Sequence, residues 1–105
     1  MNMDKQKIMG LLGMAQRAGK VVSGDFPVQK ALSSDTAAAL LIAEDASERT
    51  RATLSAMAGE KGVAVYVLLT KEELGHCLGK SERASAVLSD KGFAKLLEER
   101  LQGMG

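Results

Sequence analysis

Helical and strand-like segments alternate along this chain from end to end, and that alternation limits its possible folds more than any other feature. Ile8, Leu11, Leu12, Ala15 and Ala18 recur at helical spacing. Asp4 is placed to cap this first helix and Gly19 to end it, which gives a helix over about residues 5–18. Val21-Val22 reads as a very short strand and Ser23-Gly24-Asp25 as a turn. Pro27 suits the first turn of a second helix, which carries Val28, Ala31 and Leu32 and fades at Ser33-Ser34-Asp35. The run Ala37–Ala43 has no polar alternation, as a buried parallel strand would, although its alanines also allow a helix. Asp45 or Ser47 can cap a third helix with Thr50, Leu54, Met57, Ala58 and Lys61 on one face, and Gly62 stops it.

Val63–Leu69 is the clearest strand, β-branched and bounded by turns. Thr70 with Glu73 forms a capping box for a short fourth helix ending at Gly79. Ala84–Leu88 is a fourth strand. Ser89-Asp90 caps a last helix with Phe93, Leu96, Leu97 and Leu101 turned inward. Such alternation predicts an α/β fold, a three-layer α/β/α sandwich. At 105 residues the chain has room for one domain, taken here as residues 1–105.

Composition narrows the function by exclusion. Cys77 is the only cysteine and His76 the only histidine, so neither an internal disulfide nor a Cys- or His-rich metal site is available. The formal net charge is +1, which gives no overall electrostatic case for nucleic acid. The charge is uneven, however. Residues 1–34 hold five basic groups (Lys5, Lys7, Arg17, Lys20, Lys30) and two acidic ones (Asp4, Asp25), a local +3. The longest apolar run is far short of the roughly 20 residues a membrane span needs. The N-terminus leads into an amphipathic stretch rather than a signal-peptide core, so a cytoplasmic protein is expected.

Several residue sets invite a chemical reading. Gly10, Gly13 and Gly19 do not lie between a strand and a helix, as a dinucleotide loop requires, and read as packing positions and a helix end. His76 and Cys77 are sequence neighbours and point apart on a helix; Cys77 falls with Leu74 and Leu78 on the apolar side. Glu44-Asp45 follows a strand end, where α/β sheets place ligands, and reads either as a polar ligand contact or as capping and solvated charge. Gly24 before a helix start offers open backbone N–H groups for an anion or a base edge, with Lys30 about one turn in. No set of nucleophile, base and metal ligands converges, so the chain is expected to be no enzyme, with no cofactor and no small-molecule substrate.

Taken in order, Gly10-Leu11-Leu12-Gly13-Met14-Ala15-Gln16-Arg17-Ala18-Gly19-Lys20, Ser23-Gly24, Leu41–Ser47, Leu74-Gly75 with Gly79, and Asp90–Ala94 resemble the YlxQ-type proteins of the ribosomal protein L7Ae/L30e family. The resemblance spans nearly the whole chain. It implies a sandwich with a four-stranded mixed sheet and binding of structured RNA, typically a kink-turn, with ribosomal RNA as one such target. It also implies that the Gly-led loop and second helix start contact guanines. Gly24 and Lys30 match that motif, whereas Asp25, Phe26 and Pro27 depart from it. Phe26 cannot bond a guanine edge, Pro27 has no N–H, and Asp25 adds negative charge. Phe26 either stacks on a base or packs on the domain itself.

The second family contact aligns with residues 79–84, where Lys80, Ser81 and Arg83 can meet RNA and Glu82 opposes them. The expected RNA-binding set is therefore Lys20, Ser23, Gly24, Asp25, Phe26, Lys30, Glu44, Lys80, Ser81 and Arg83. Lys20, Lys30, Lys80 and Arg83 are expected to converge at one edge of the sheet in a monomeric protein. The alternative is a protein-interaction module on the same fold, for which Phe26 would sit in a large apolar patch.

Overall fold

The structure is a computed structural model that describes residues 3–103, with side chains from Lys5 to Gly103. Five helices and four strands alternate: α1 (Met3–Arg17), β1 (Val21–Ser23), α2 (Asp25–Ser33), β2 (Ala39–Ile42), α3 (Glu48–Lys61), β3 (Ala64–Val67), α4 (Lys71–Cys77), β4 (Ser85–Leu88) and α5 (Lys91–Gln102). The strands form one mixed sheet in the order β1-β4-β2-β3. β4 runs antiparallel to both β1 and β2, and β3 runs parallel to β2. Helices α1, α4 and α5 cover one face and α2 and α3 the other, so the expected three-layer sandwich forms.

β2 shows why its sequence lacks alternation. Ala39 and Leu41 enter the core under α1, α4 and α5, while Leu40 and Ile42 enter the core under α2 and α3. Both faces of the strand are covered, so every position is apolar. β4 is buried throughout in the same way. β3 differs. Its sequence is the most strand-like in the chain, yet it is an edge strand, and Ala64, Val65 and Val67 are exposed. Strand propensity reports fit to a pleated surface and not position within the sheet. On α5, Leu97 is buried and Phe93 and Leu101 are partly so, but Leu96 turns outward rather than inward. Ala18 also lies just past α1 and is exposed.

The helix ends follow from local chemistry. Ser47 Oγ accepts from the Thr50 N–H at 3.1 Å and starts α3. Thr70 and Glu73 complete the capping box of α4. Asp90 Oδ2 accepts from the Phe93 N–H at 2.9 Å at the head of α5. Gly62, at φ 68°, ends α3 in the left-handed conformation that favours glycine. The expected cap at Asp4 lies outside the described side chains. Asp45 does not cap α3; its Oδ1 accepts from the Lys71 N–H at 2.8 Å, at the first turn of α4.

One polar atom in the core lacks a partner. Ser85 Oγ, at the start of β4, is fully buried and makes no hydrogen bond among the described residues. A buried hydroxyl without a partner loses its hydration for no return. Ser85→Ala is expected to raise stability by about 1 kcal/mol, read as a higher urea midpoint at unchanged slope.

Candidate nucleic-acid interface

The strand directions gather one set of loops at one end of the sheet. β1, β2 and β3 all finish there and β4 begins there, because Ser23 pairs with Ala86, Ile42 with Ser85, and Ile42 also with Val67. Helices α2, α3 and α4 therefore all start at this end, and the 79–84 loop enters β4 beside them. The positive dipole ends of three helices point in this direction. α3 is capped by Ser47 and α4 by Thr70 and Asp45, whereas α2 has no side-chain cap.

Gly24 is the N-cap of α2, with φ 98° and ψ 157°, a backbone conformation that favours glycine. It brings no side chain to cap the helix. Pro27 has no N–H, and the Val28 N–H is already bonded to Gly24 O at 3.0 Å. The open donors of the first turn are thus the Asp25 and Phe26 N–H groups, neither of which has an acceptor among the described residues.

Arg83 ties the second loop to this helix start. Its Nε donates to Ser23 Oγ at 3.2 Å, and its Nη1 donates to Ser81 Oγ at 3.0 Å, Ser81 O at 3.3 Å and Glu82 O at 3.0 Å. The guanidinium thereby folds the 79–84 loop around itself and fixes it to the end of β1. Nη2 keeps its two hydrogens for an outside acceptor. Beside it lies a shallow depression of about 270 Å³ lined by Gln16, Val21, Val22, Ser23, Pro27, Lys80 and Arg83. The valines and Pro27 give it apolar walls, and Gln16, Lys80 and Arg83 give it hydrogen-bond donors. Sequence reasoning missed Gln16; it sits in the Ala-Gln-Arg-Ala-Gly-Lys word that carries the resemblance.

The four expected cations do not all converge. Lys80 and Arg83 share the depression. Lys20 precedes Ser23 by three residues, about 10 Å back along β1, and its carbonyl holds the Ser89 N–H at the other end of the sheet. Lys30 lies five residues into α2, about 7.5 Å along its axis, on the same exposed stripe as Phe26.

Phe26 is 75% exposed, the most exposed large apolar side chain of the described residues. Packing on the domain itself is thereby ruled out. α2 turns Val28, Ala31 and Leu32 to the core and Phe26 away from it. Its neighbours on that stripe are Gln29, Lys30 and Ser33, and none of the other exposed large apolar side chains of the described residues belongs to α2. Asp25 is directed away from the Arg83 depression. It lines a separate cleft of about 250 Å³ with Gln29, Arg49, Thr50 and Thr53, between α2 and α3.

Charges of both signs are interleaved at this end of the sheet. Lys80 and Arg83 on the 79–84 loop are joined there by Glu82, and Glu44, Asp45, Glu72 and Glu73 by Arg49, Arg51, Lys71 and Lys5, with the Arg83 N–H bonded to Lys71 O at 3.1 Å. Glu44 is exposed, with its backbone fixed by the Leu69 carbonyl at 2.7 Å and by Arg51 Nη2 at 3.0 Å. The Thr70 N–H and the Lys5 ammonium, at 3.0 Å, hold the Glu73 carboxyl below the usual carboxylate range. Cys77 is half-buried, and burial pushes its thiol up to about 11, so it is not a poised nucleophile. No group of three or more His, Cys, Asp or Glu side chains suited to a metal occurs among the described residues. No described helix is long and apolar enough to cross a membrane.

Residues 6–97 match the model of the ribosomal protein L7Ae/L30e/S12e/Gadd45 family. The chain belongs to this family. Within it the chain is of the YlxQ type. It is 30% identical to RNA-binding protein YlxQ of Enterococcus faecium over 100 residues, covering 95% of this chain and 96% of that one. It is 36% identical to RNA-binding protein YlxQ of Bacillus subtilis over 87 residues, covering 83% and 87%. An archaeal relative, large ribosomal subunit protein eL8 of Cenarchaeum symbiosum, is 30% identical over 90% of this chain and 75% of its own length. Among solved structures, a protein of unknown function from Bacillus halodurans superposes with a TM-score of 0.87 at 29% identity, covering 91% of this chain and 97% of that one. The 15.5-kD RNA-binding protein of Giardia lamblia shares the fold, with a TM-score of 0.77 at 16% identity over 95% of this chain and 86% of its own.

Proposed function

We propose that this chain is a non-catalytic RNA-binding protein that takes one structured, kink-turn-like RNA site at the end of the sheet where α2, α3 and α4 begin. The observation that carries the reading is the Arg83–Ser23 contact. It sets Lys80 and the free Nη2 of Arg83 beside a helix start whose Asp25 and Phe26 N–H groups are open. The depression between them accepts an unstacked nucleotide, with phosphate contacts from Lys80 and Arg83. Phe26 offers a face for a second base, and Lys30 a charge one turn along α2. The printed names of the YlxQ relatives as RNA-binding proteins support the assignment, and the kinship with eL8 supports ribosomal RNA as the target. The polar neighbours of Phe26 on α2 favour this reading over a protein-interaction module that has lost RNA recognition. Action in the cytoplasm is part of the same reading.

The test is a binding series with a kink-turn RNA, a plain duplex of equal length and ribosomal RNA fragments, at two salt concentrations. The kink-turn is expected to bind best, and Arg83→Gln to weaken it by about 1–3 kcal/mol. Lys20→Ala, at the far end of β1, is expected to leave that preference unchanged. Equal, weak binding to every RNA with no effect of Arg83→Gln contradicts the proposal.

A further inference from the structure

We propose that two copies of this chain pair through β3, antiparallel and edge to edge, into one eight-stranded sheet. β3 has a single neighbour, β2. The Leu68 N–H donates to Ile42 O at 3.1 Å, so Leu68 and Tyr66 turn their backbone groups toward β2. By the alternation of a strand, Val65 and Val67 turn theirs outward. Those two side chains are also among the exposed large apolar groups, at 36% and 43%. Natural edge strands are usually guarded by a charge, a proline or a bulge. Val63–Leu69 contains no charge and no proline, and β3 pairs with β2 residue for residue.

The residue order selects a second copy as the occupant. Val65-Tyr66-Val67 reads the same in both directions. An antiparallel pairing with its two-fold axis at Tyr66 sets Val65 opposite Val67 of the second copy, and Val67 opposite Val65. These are the hydrogen-bonded positions, each exchanging an N–H and a C=O, and they cover valine with valine. Tyr66 then meets its own copy at the closer, non-bonded position. Such a contact is isologous, so it closes at two copies.

A two-fold axis normal to the sheet at Tyr66 requires the antiparallel sense, which also keeps the helix layers of the two copies on matching sides. Both ends of β3 carry mixed charge: Lys61, Lys91, Lys95 and Glu98 line a depression of about 520 Å³ where it begins, and Lys71 stands beside Glu72 where it finishes. The contact is short, so the pairing is concentration-dependent. Its consequence, which rests on the RNA reading above, is that the two RNA-binding ends face opposite directions and one dimer holds two RNA sites.

The experiment is sedimentation equilibrium of the full chain from micromolar to millimolar concentration, with Val65→Pro and Val67→Lys. Proline at residue 65 removes an N–H that points to solvent, a position where edge strands accept it. The wild type is expected to move from the mass of one copy to that of two as concentration rises. Each variant should shift that midpoint upward at least tenfold while keeping the wild-type circular dichroism. RNA affinity of both variants, measured in the dilute, single-copy range, is expected to be unchanged, so loss of pairing and loss of RNA binding are read separately. A wild type that stays at one copy throughout overturns the proposal, as does a dimer that persists equally in Val67→Lys.

Discussion

In Gly75→Ala the fold is expected to lose about 2 kcal/mol and RNA affinity to fall at least tenfold. On helix propensity alone the substitution should help, because alanine favours a helix interior over glycine by about 1 kcal/mol. Packing reverses the sign. Gly75 is buried in the middle of α4, and the 79–84 loop folds directly over it. A Cβ there runs into the Ser81 carbonyl oxygen and lies 2.7 Å from the Ser81 carbonyl carbon and 3.0 Å from Glu82 Cα. All three are backbone atoms, which cannot swing away as a side chain would. The same loop is hydrogen-bonded to this residue, since the Lys80 N–H donates to Gly75 O at 2.8 Å. Relief therefore requires the loop to move, and Lys80 and Arg83 move with it. Urea unfolding and an RNA titration of the same variant measure both effects. Wild-type stability with wild-type affinity would show that the loop does not rest on Gly75.

Phe26→Ala is expected to weaken RNA binding by about 1–3 kcal/mol, the range for losing one stacked base. Its effect on stability is expected to stay within about 0.5 kcal/mol, because the ring contributes so little to the core. An exposed aromatic on the first turn of a helix whose amides are open is placed to stack on a base. Phe26→Tyr should retain affinity, since it keeps the ring face, whereas Phe26→Leu should lose most of it. Fluorescence anisotropy with the kink-turn RNA separates these outcomes. Equal affinity of Phe26→Ala and wild type would remove Phe26 from the interface.

The layer order and all nine elements are legible in the sequence because each rests on short-range signals. Periodicity marks α1 and α5, the unbroken apolar run marks β2, and Thr70 with Glu73 marks the start of α4. Position within the sheet is less legible. Val63–Leu69 looks more like a central strand than Ser85–Leu88 does, yet β3 is the edge and β4 the centre. Strand order depends on contacts between distant segments, and no local pattern encodes them. The interface divides along the same line. Gly24 and the 79–84 loop can be placed from the resemblance, and they do meet. The link that joins them, Arg83 to Ser23, spans 60 residues and has no periodic trace. The partner of Asp45 is hidden for the same reason: the Lys71 amide is 26 residues away. Lys20 looks like part of the basic set by nearness in sequence to Ser23, but three extended residues carry it to the other end of the strand.

Amide chemical-shift mapping with the kink-turn RNA tests the central claim most directly, because it asks which end of the sheet meets the RNA. The account predicts that shifts concentrate in residues 23–30 and 79–84, with Gln16 among them, and spare Lys20, Ser89 and the Lys91–Lys95 turn of α5. Shifts centred on those spared residues, with 23–30 and 79–84 unmoved, would contradict it.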